Sequence, residues 1–95
     1  MNVETIGKKI SLILQEYGIT YAGVFGSVAR GEARPDSDID LMIKMGKPLS
    51  LFSYMVFIRK IEESLGHKVD VVTEGSLNKF VRPYIMPDLK TIYEK

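Results

Sequence analysis

From Asp38 to Ile43 the chain reads Asp-Ile-Asp-Leu-Met-Ile, an alternation that a strand can satisfy and a helix cannot. Side chains two apart on a strand project to the same face. Ile39, Leu41 and Ile43 therefore belong to a dry face, and Asp38 and Asp40 stand together on the other, with Cα atoms about 6–7 Å apart. Ten residues upstream is Gly26-Ser27, directly after the short apolar run Tyr21-Ala22-Gly23-Val24-Phe25. That run, bounded by turn residues, reads as a buried strand. A third acid, Asp70, sits inside Val69-Asp70-Val71-Val72. An acid in an apolar strand calls for a partner, either a basic side chain or a shared cation.

The remaining pattern fits around these strands. Val3, Ile6, Ile10, Ile13, Leu14 and Tyr17 recur at helical spacing, so a first helix is expected over 3–17, stopped by Gly18. Val28 to Arg30 fits one or two helical turns, and Glu32 to Ser37, with Pro35, is a loop. Ser50 is placed to cap a second long helix. Leu51, Tyr54, Met55, Ile58, Ile61 and Leu65 would line its inner face, and Gly66 would end it. Lys68 to Thr73 reads as a strand. Leu77, Phe80, Val81, Tyr84 and Ile85 predict a last helix, interrupted at Pro83. Pro87-Asp88 is a turn, and Thr91-Ile92-Tyr93 a short edge strand. The sum is an α/β (α+β) chain, a small mixed β-sheet flanked by helices.

Size and charge narrow the function. Ninety-five residues make a single domain, 1–95, with one modest core. A net charge of +1 argues against a general nucleic-acid binder of the strongly basic kind, and no sequence-specific nucleic-acid binding is expected. The chain has no cysteine, which excludes disulfides and thiolate metal sites. No apolar stretch approaches the roughly 20 residues of a membrane span. Met1 to Glu4 shows no signal-peptide pattern, so the expected setting is cytoplasmic, without membrane association.

Three carboxylates brought to one place repel one another, and burial raises the pKa of at least one. A divalent cation resolves the conflict, and Mg²⁺ prefers carboxylate, water and phosphate oxygens. At Gly26 the backbone can approach a ligand closely. Ser27 adds a hydroxyl where a strand turns into a helix, and free N–H groups there attract phosphate. Arg30, one turn on, is placed to meet phosphate or to clamp Glu32 or Asp36. Taken singly, each feature has a plainer reading: a turn, a solvated strand face, a structural ion pair. His67, the sole histidine, reads as a surface loop residue. Phe52, Tyr54, Met55 and Phe57 exceed one helical face, and part of that cluster is expected to meet a partner.

Phe25-Gly26-Ser27, Asp38-Ile39-Asp40 and Asp70, in that order, resemble the nucleotidyltransferase superfamily typified by DNA polymerase β. The longer string from Gly26-Ser27-Val28-Ala29-Arg30-Gly31 to Asp36-Ser37-Asp38-Ile39-Asp40-Leu41 is similar to its stand-alone branch, the minimal nucleotidyltransferases. The likeness runs from about Tyr21 to the C-terminus and implies the nucleotidyltransferase fold. It implies that Asp38, Asp40 and Asp70 are catalytic and bind two Mg²⁺ ions. Gly26 and Ser27, with Arg30, would hold the phosphates of ATP. It further implies transfer of AMP to a tyrosine hydroxyl of a HEPN-domain ribonuclease toxin, encoded adjacently and associated with this chain as its antitoxin. Two alternatives stand beside that expectation. One is an antitoxin that neutralises its partner by binding alone. The other is adenylylation of a small molecule of the aminoglycoside type, disfavoured because the chain shows no further substrate-binding domain.

Overall fold

The computed structural model describes residues 2–95. Helix α1 (Val3–Glu16) begins where Asn2 accepts a hydrogen bond from the Thr5 amide at 2.8 Å. That side-chain cap satisfies one of the free amides of the first turn. Strand β1 (Ile19–Phe25) runs into the single-turn helix α2 (Gly26–Ala29), and a loop leads to β2 (Ile39–Met45). Helix α3 (Leu51–Leu65) is capped by Ser50 and ended by Gly66, whose φ of 70° is left-handed. Strand β3 (Val69–Thr73) follows, then a crossing segment with one α-helical turn, α4 (Arg82–Ile85), and 3₁₀ turns at Glu74–Ser76 and Met86–Asp88, and finally β4 (Lys90–Glu94).

The four strands form one sheet in the order β3-β2-β1-β4. β1 is antiparallel to both β2 and β4, whereas β2 and β3 are parallel. A parallel pair needs a crossover connection, and α3 supplies it. α1 and α3 lie on the same face of the sheet. Ile6, Ile10 and Leu14 of α1 and Phe57, Ile61 and Leu65 of α3 bury against Val24, Ile39, Leu41 and Ile43. Tyr17 and Phe57 pack with ring centroids 5.3 Å apart at a tilted angle. The Glu62 carboxylate accepts a hydrogen bond from the Val69 amide at 3.0 Å, fixing the start of β3 beneath the end of α3.

The architecture expected from the sequence is observed, with four adjustments. β1 starts at Ile19 rather than Tyr21. β2 begins at Ile39, leaving Asp38 just ahead of it, and Met42 is buried along with its aliphatic neighbours. Met42 pairs with Gly23 of β1, and Leu89 lies over Gly23 on that face, so the centre of the face is covered. The inner face of α3 is Phe57, Ile61 and Leu65, whereas Leu51, Phe52 and Met55 project into solvent. The helix expected from Leu77 is reduced to Arg82–Ile85. There Asn78 Oδ1 accepts hydrogen bonds from the amides of Phe80 and Val81, at 2.9 and 3.0 Å. Asparagine offers the backbone this local alternative to a helix, and the helical turn starts only where Pro83 occupies a first-turn position. No helix of the described residues is long and apolar enough to cross a membrane.

Candidate active site

Strand register assembles the site. Phe25, the last residue of β1, is the partner of Asp40 in the antiparallel β1–β2 pair. Asp40 is in turn the partner of Asp70 in the parallel β2–β3 pair. The neighbours Ile39 and Leu41, and Val69 and Val71, belong to the helix-covered core. Alternation therefore puts both acids on the opposite face, on strands about 4.8 Å apart. Asp38, two residues before Asp40, is exposed at the same end of β2.

Gly26 follows Phe25 directly, so the turn it begins lies against Asp40. Its φ is +73°, and a Cβ at this position would collide with Asp40 Oδ2. Both conditions restrict the position to glycine. Ser27 is half-buried as the second residue of α2, and among the described residues no hydrogen bond engages its hydroxyl. The α2 turn is closed by hydrogen bonds from the Arg30 amide to the Gly26 carbonyl and from the Glu32 amide to the Ser27 carbonyl, at 3.1 and 2.8 Å.

Asp40 carries the electrostatic strain of this arrangement. Burial pushes its pKa above the ordinary carboxylate value, and the charges of Asp70 and Asp38 push it the same way. Arg30 acts in the opposite direction. Both acids act on Asp40 because strand pairing sets Asp70 beside it and Asp38 lies two residues before it. Asp38 and Asp70 are nonetheless exposed, and among the described residues no three His, Cys, Asp or Glu side chains close into a ready metal cage. The donors are all hard carboxylate oxygens with an open outer side. Such a set suits Mg²⁺, which takes one or two carboxylates and completes its shell with water and substrate phosphates.

Arg30 is engaged by two acids. Its Nη1 donates to Asp88 Oδ2 at 2.6 Å, and its Nε lies 3.6 Å from Glu32 Oε1. Of the two clamps the sequence offered, Glu32 is used and Asp36 is not, and the shorter contact goes to Asp88. Asp88 read as part of a turn in the sequence. Its separation of 58 residues from Arg30 leaves no local pattern from which to find the pair. His67 is half-buried and, with Val28, Ala33, Arg34, Ser37 and Ile39, borders a cavity of about 680 Å³ at the start of β2.

The family model described as nucleotidyltransferase domain matches residues 8–92. The chain belongs to the nucleotidyltransferase domain family. A Methanocaldococcus jannaschii protein with the provisional name protein adenylyltransferase is 37% identical over 90% of this chain and 92% of its own length. The protein adenylyltransferase MntA of Thermococcus cleftensis is 32% identical, covering 79% of this chain and 76% of the relative. A solved structure described provisionally as a minimal nucleotidyltransferase superposes with a TM-score of 0.78 at 32% identity, over 95% of each chain. A complex of a tri-AMPylated Shewanella oneidensis HEPN toxin with an MNT antitoxin contains a chain of the same fold. Its TM-score is 0.73 at 18% identity, over 98% of this nucleotidyltransferase and 73% of that chain.

Proposed function

We propose that this nucleotidyltransferase moves AMP from ATP to a hydroxyl, most specifically a tyrosine hydroxyl, of a HEPN-domain toxin encoded beside it, and so acts as its antitoxin. The observation that carries the reading is the pairing of Asp40 with Asp70 across two strands, with Gly26 lying on the Asp40 carboxylate. The names of the two sequence relatives support a protein acceptor, and the toxin complex of the structural neighbour supports the HEPN class.

In this reading Gly26 and Ser27 hold the β- and γ-phosphates, Gly26 by leaving room for close approach and Ser27 through its free hydroxyl. Asp38, Asp40 and Asp70 would hold two Mg²⁺ ions, which when bound neutralise charge on the triphosphate and on the reacting oxygens. Asp70 faces the acceptor and helps remove the proton of its hydroxyl. The acceptor oxygen then forms a bond to the α-phosphorus, the bond from that phosphorus to the bridging oxygen breaks, and pyrophosphate leaves. The enzyme contributes positioning and charge complementarity. Arg30, held by Asp88 and Glu32, keeps positive charge beside Asp40 and favours its ionised form.

The test is the intact mass of the HEPN protein after incubation with this chain, ATP and Mg²⁺. A gain in AMP-sized increments, lost with Asp38→Asn/Asp40→Asn, is the expected result. No gain from a folded, stably associated pair would overturn the transfer reading in favour of neutralisation by binding.

A further inference from the structure

The segment between β3 and β4 has the wrong side chains for a surface loop. Phe80 and Tyr84 are 73% and 80% exposed, and Val81 and Met86 are also open to solvent. Ile85 is buried and anchors the segment to the body of the protein. An exposed apolar cluster of this kind on a small chain marks an interaction surface. Its charge is one-sided: no acid occurs from Gly75 to Pro87, whereas Lys79 and Arg82 do. Among the described residues neither cation is in an ion pair. Lys79 Nζ instead lies 5.3 Å from the centroid of the Phe80 ring. The segment also ends at the site, because Asp88 holds Arg30 and Leu89 occupies the space beside Gly23 on the carboxylate-bearing face of β1.

We propose that 79–86 is the docking surface for the acceptor protein, and that the acceptor meets it with an apolar patch rimmed by acidic side chains. The assignment rests on the protein-acceptor reading above and adds where the acceptor binds and with what chemistry. Acidic groups complement Lys79 and Arg82, apolar ones cover Phe80 and Tyr84, and the segment leads directly to Asp88, which holds the Arg30 whose charge acts on Asp40. Another exposed apolar group, Leu51, Phe52 and Met55, sits at the start of α3, which follows the Met45 end of β2, opposite to the end that carries Asp40.

The test is titration calorimetry of the HEPN protein into the full-length chain at two salt concentrations. The variants are Phe80→Ala/Tyr84→Ala and Lys79→Glu/Arg82→Glu, with Leu51→Ser/Phe52→Ser as the comparison. Equal melting temperatures and equal ATP binding establish that each variant is folded. We expect the aromatic pair to weaken association at least about tenfold. The charge reversal should weaken it more at low salt than at high, and the α3 pair should leave it unchanged. Unchanged affinity in both segment variants, or loss only in the α3 pair, would overturn the assignment. Retention of the chain by RNA through Lys79 and Arg82, without protein binding, would overturn it too. An unaltered chain that binds ATP but not the HEPN protein would overturn the acceptor reading itself, and this assignment with it.

Discussion

On the helix-covered face of the sheet, Ile6, Ile10, Leu14, Phe57 and Ile61 are wholly sealed from solvent. Across the same strands, Asp38 and Asp70 are exposed, Asp40 is partly buried and its pKa is raised, and the 79–86 segment leaves two aromatic rings in water. The first face gains stability from every group it holds. The second gathers like charges and solvated apolar surface, which lower stability until ligands arrive. Activity and stability are thus placed on opposite sides of one four-stranded layer, and substitutions should separate them cleanly.

The largest effect should come from Asp38→Asn/Asp40→Asn. We expect AMP transfer to fall by at least about a hundredfold, the scale of losing a preorganised charge contact, while the metal-free chain melts no lower than the wild type. A large drop in melting temperature would break the comparison. The converse is Phe57→Ala, which empties a sealed site and should cost about 3–5 kcal/mol of stability. Transfer per folded molecule should persist, as measured below the lowered melting point. Gly26→Ala falls between. Holding alanine at positive φ costs roughly 1–2 kcal/mol, and its Cβ displaces the Asp40 carboxylate, so turnover should drop by more than that strain would explain.

Two smaller effects sharpen the contrast. Asp40 has a raised pKa in the folded chain, so its neutral form is favoured there. That contribution is present at acid pH and is lost as pH rises through the folded pKa. Asp40→Asn should therefore leave the melting temperature of the metal-free chain unchanged at acid pH and raise it at neutral pH. A constant difference across the titration would contradict the assignment of strain to this carboxylate. Asp88→Asn should produce the smallest change in stability, since the ion pair is solvated. Freed from Asp88, Arg30 should shift the ATP dependence of transfer, visible as a change in KM for ATP with melting nearly unaltered.

The sequence disclosed part of each face. Helix α1, the strands and the places of Gly26, Ser27, Asp38, Asp40 and Asp70 along them follow from local periodicity and spacing, but the meeting of Asp70 with Asp40 depends on β2 and β3 lying side by side, which spacing leaves open. The inner face of α3 was harder: Leu51, Phe52 and Met55 carry helical spacing as convincingly as Phe57, and only the docking of α3 against α1 and β3 selects between them. The 79–86 segment has apolar spacing suited to a helix, but Asn78 and Pro83 interrupt it through hydrogen bonds and missing donors that hydrophobicity does not register. The Arg30–Asp88 bond joins distant segments and carried no pattern at all.

Asp40 faces Asp70 only because β2 and β3 are paired in one particular register. A slip of one residue would set Asp40 against a valine and turn one of the acids towards the helices. The turn at 47–49, which carries none of the core side chains of α3, can therefore lengthen, shorten or change composition with modest penalty, provided the strands re-enter in phase. A single insertion within 39–41 or 69–71 is a frameshift in three dimensions: every atom of the machinery survives, and none of it meets.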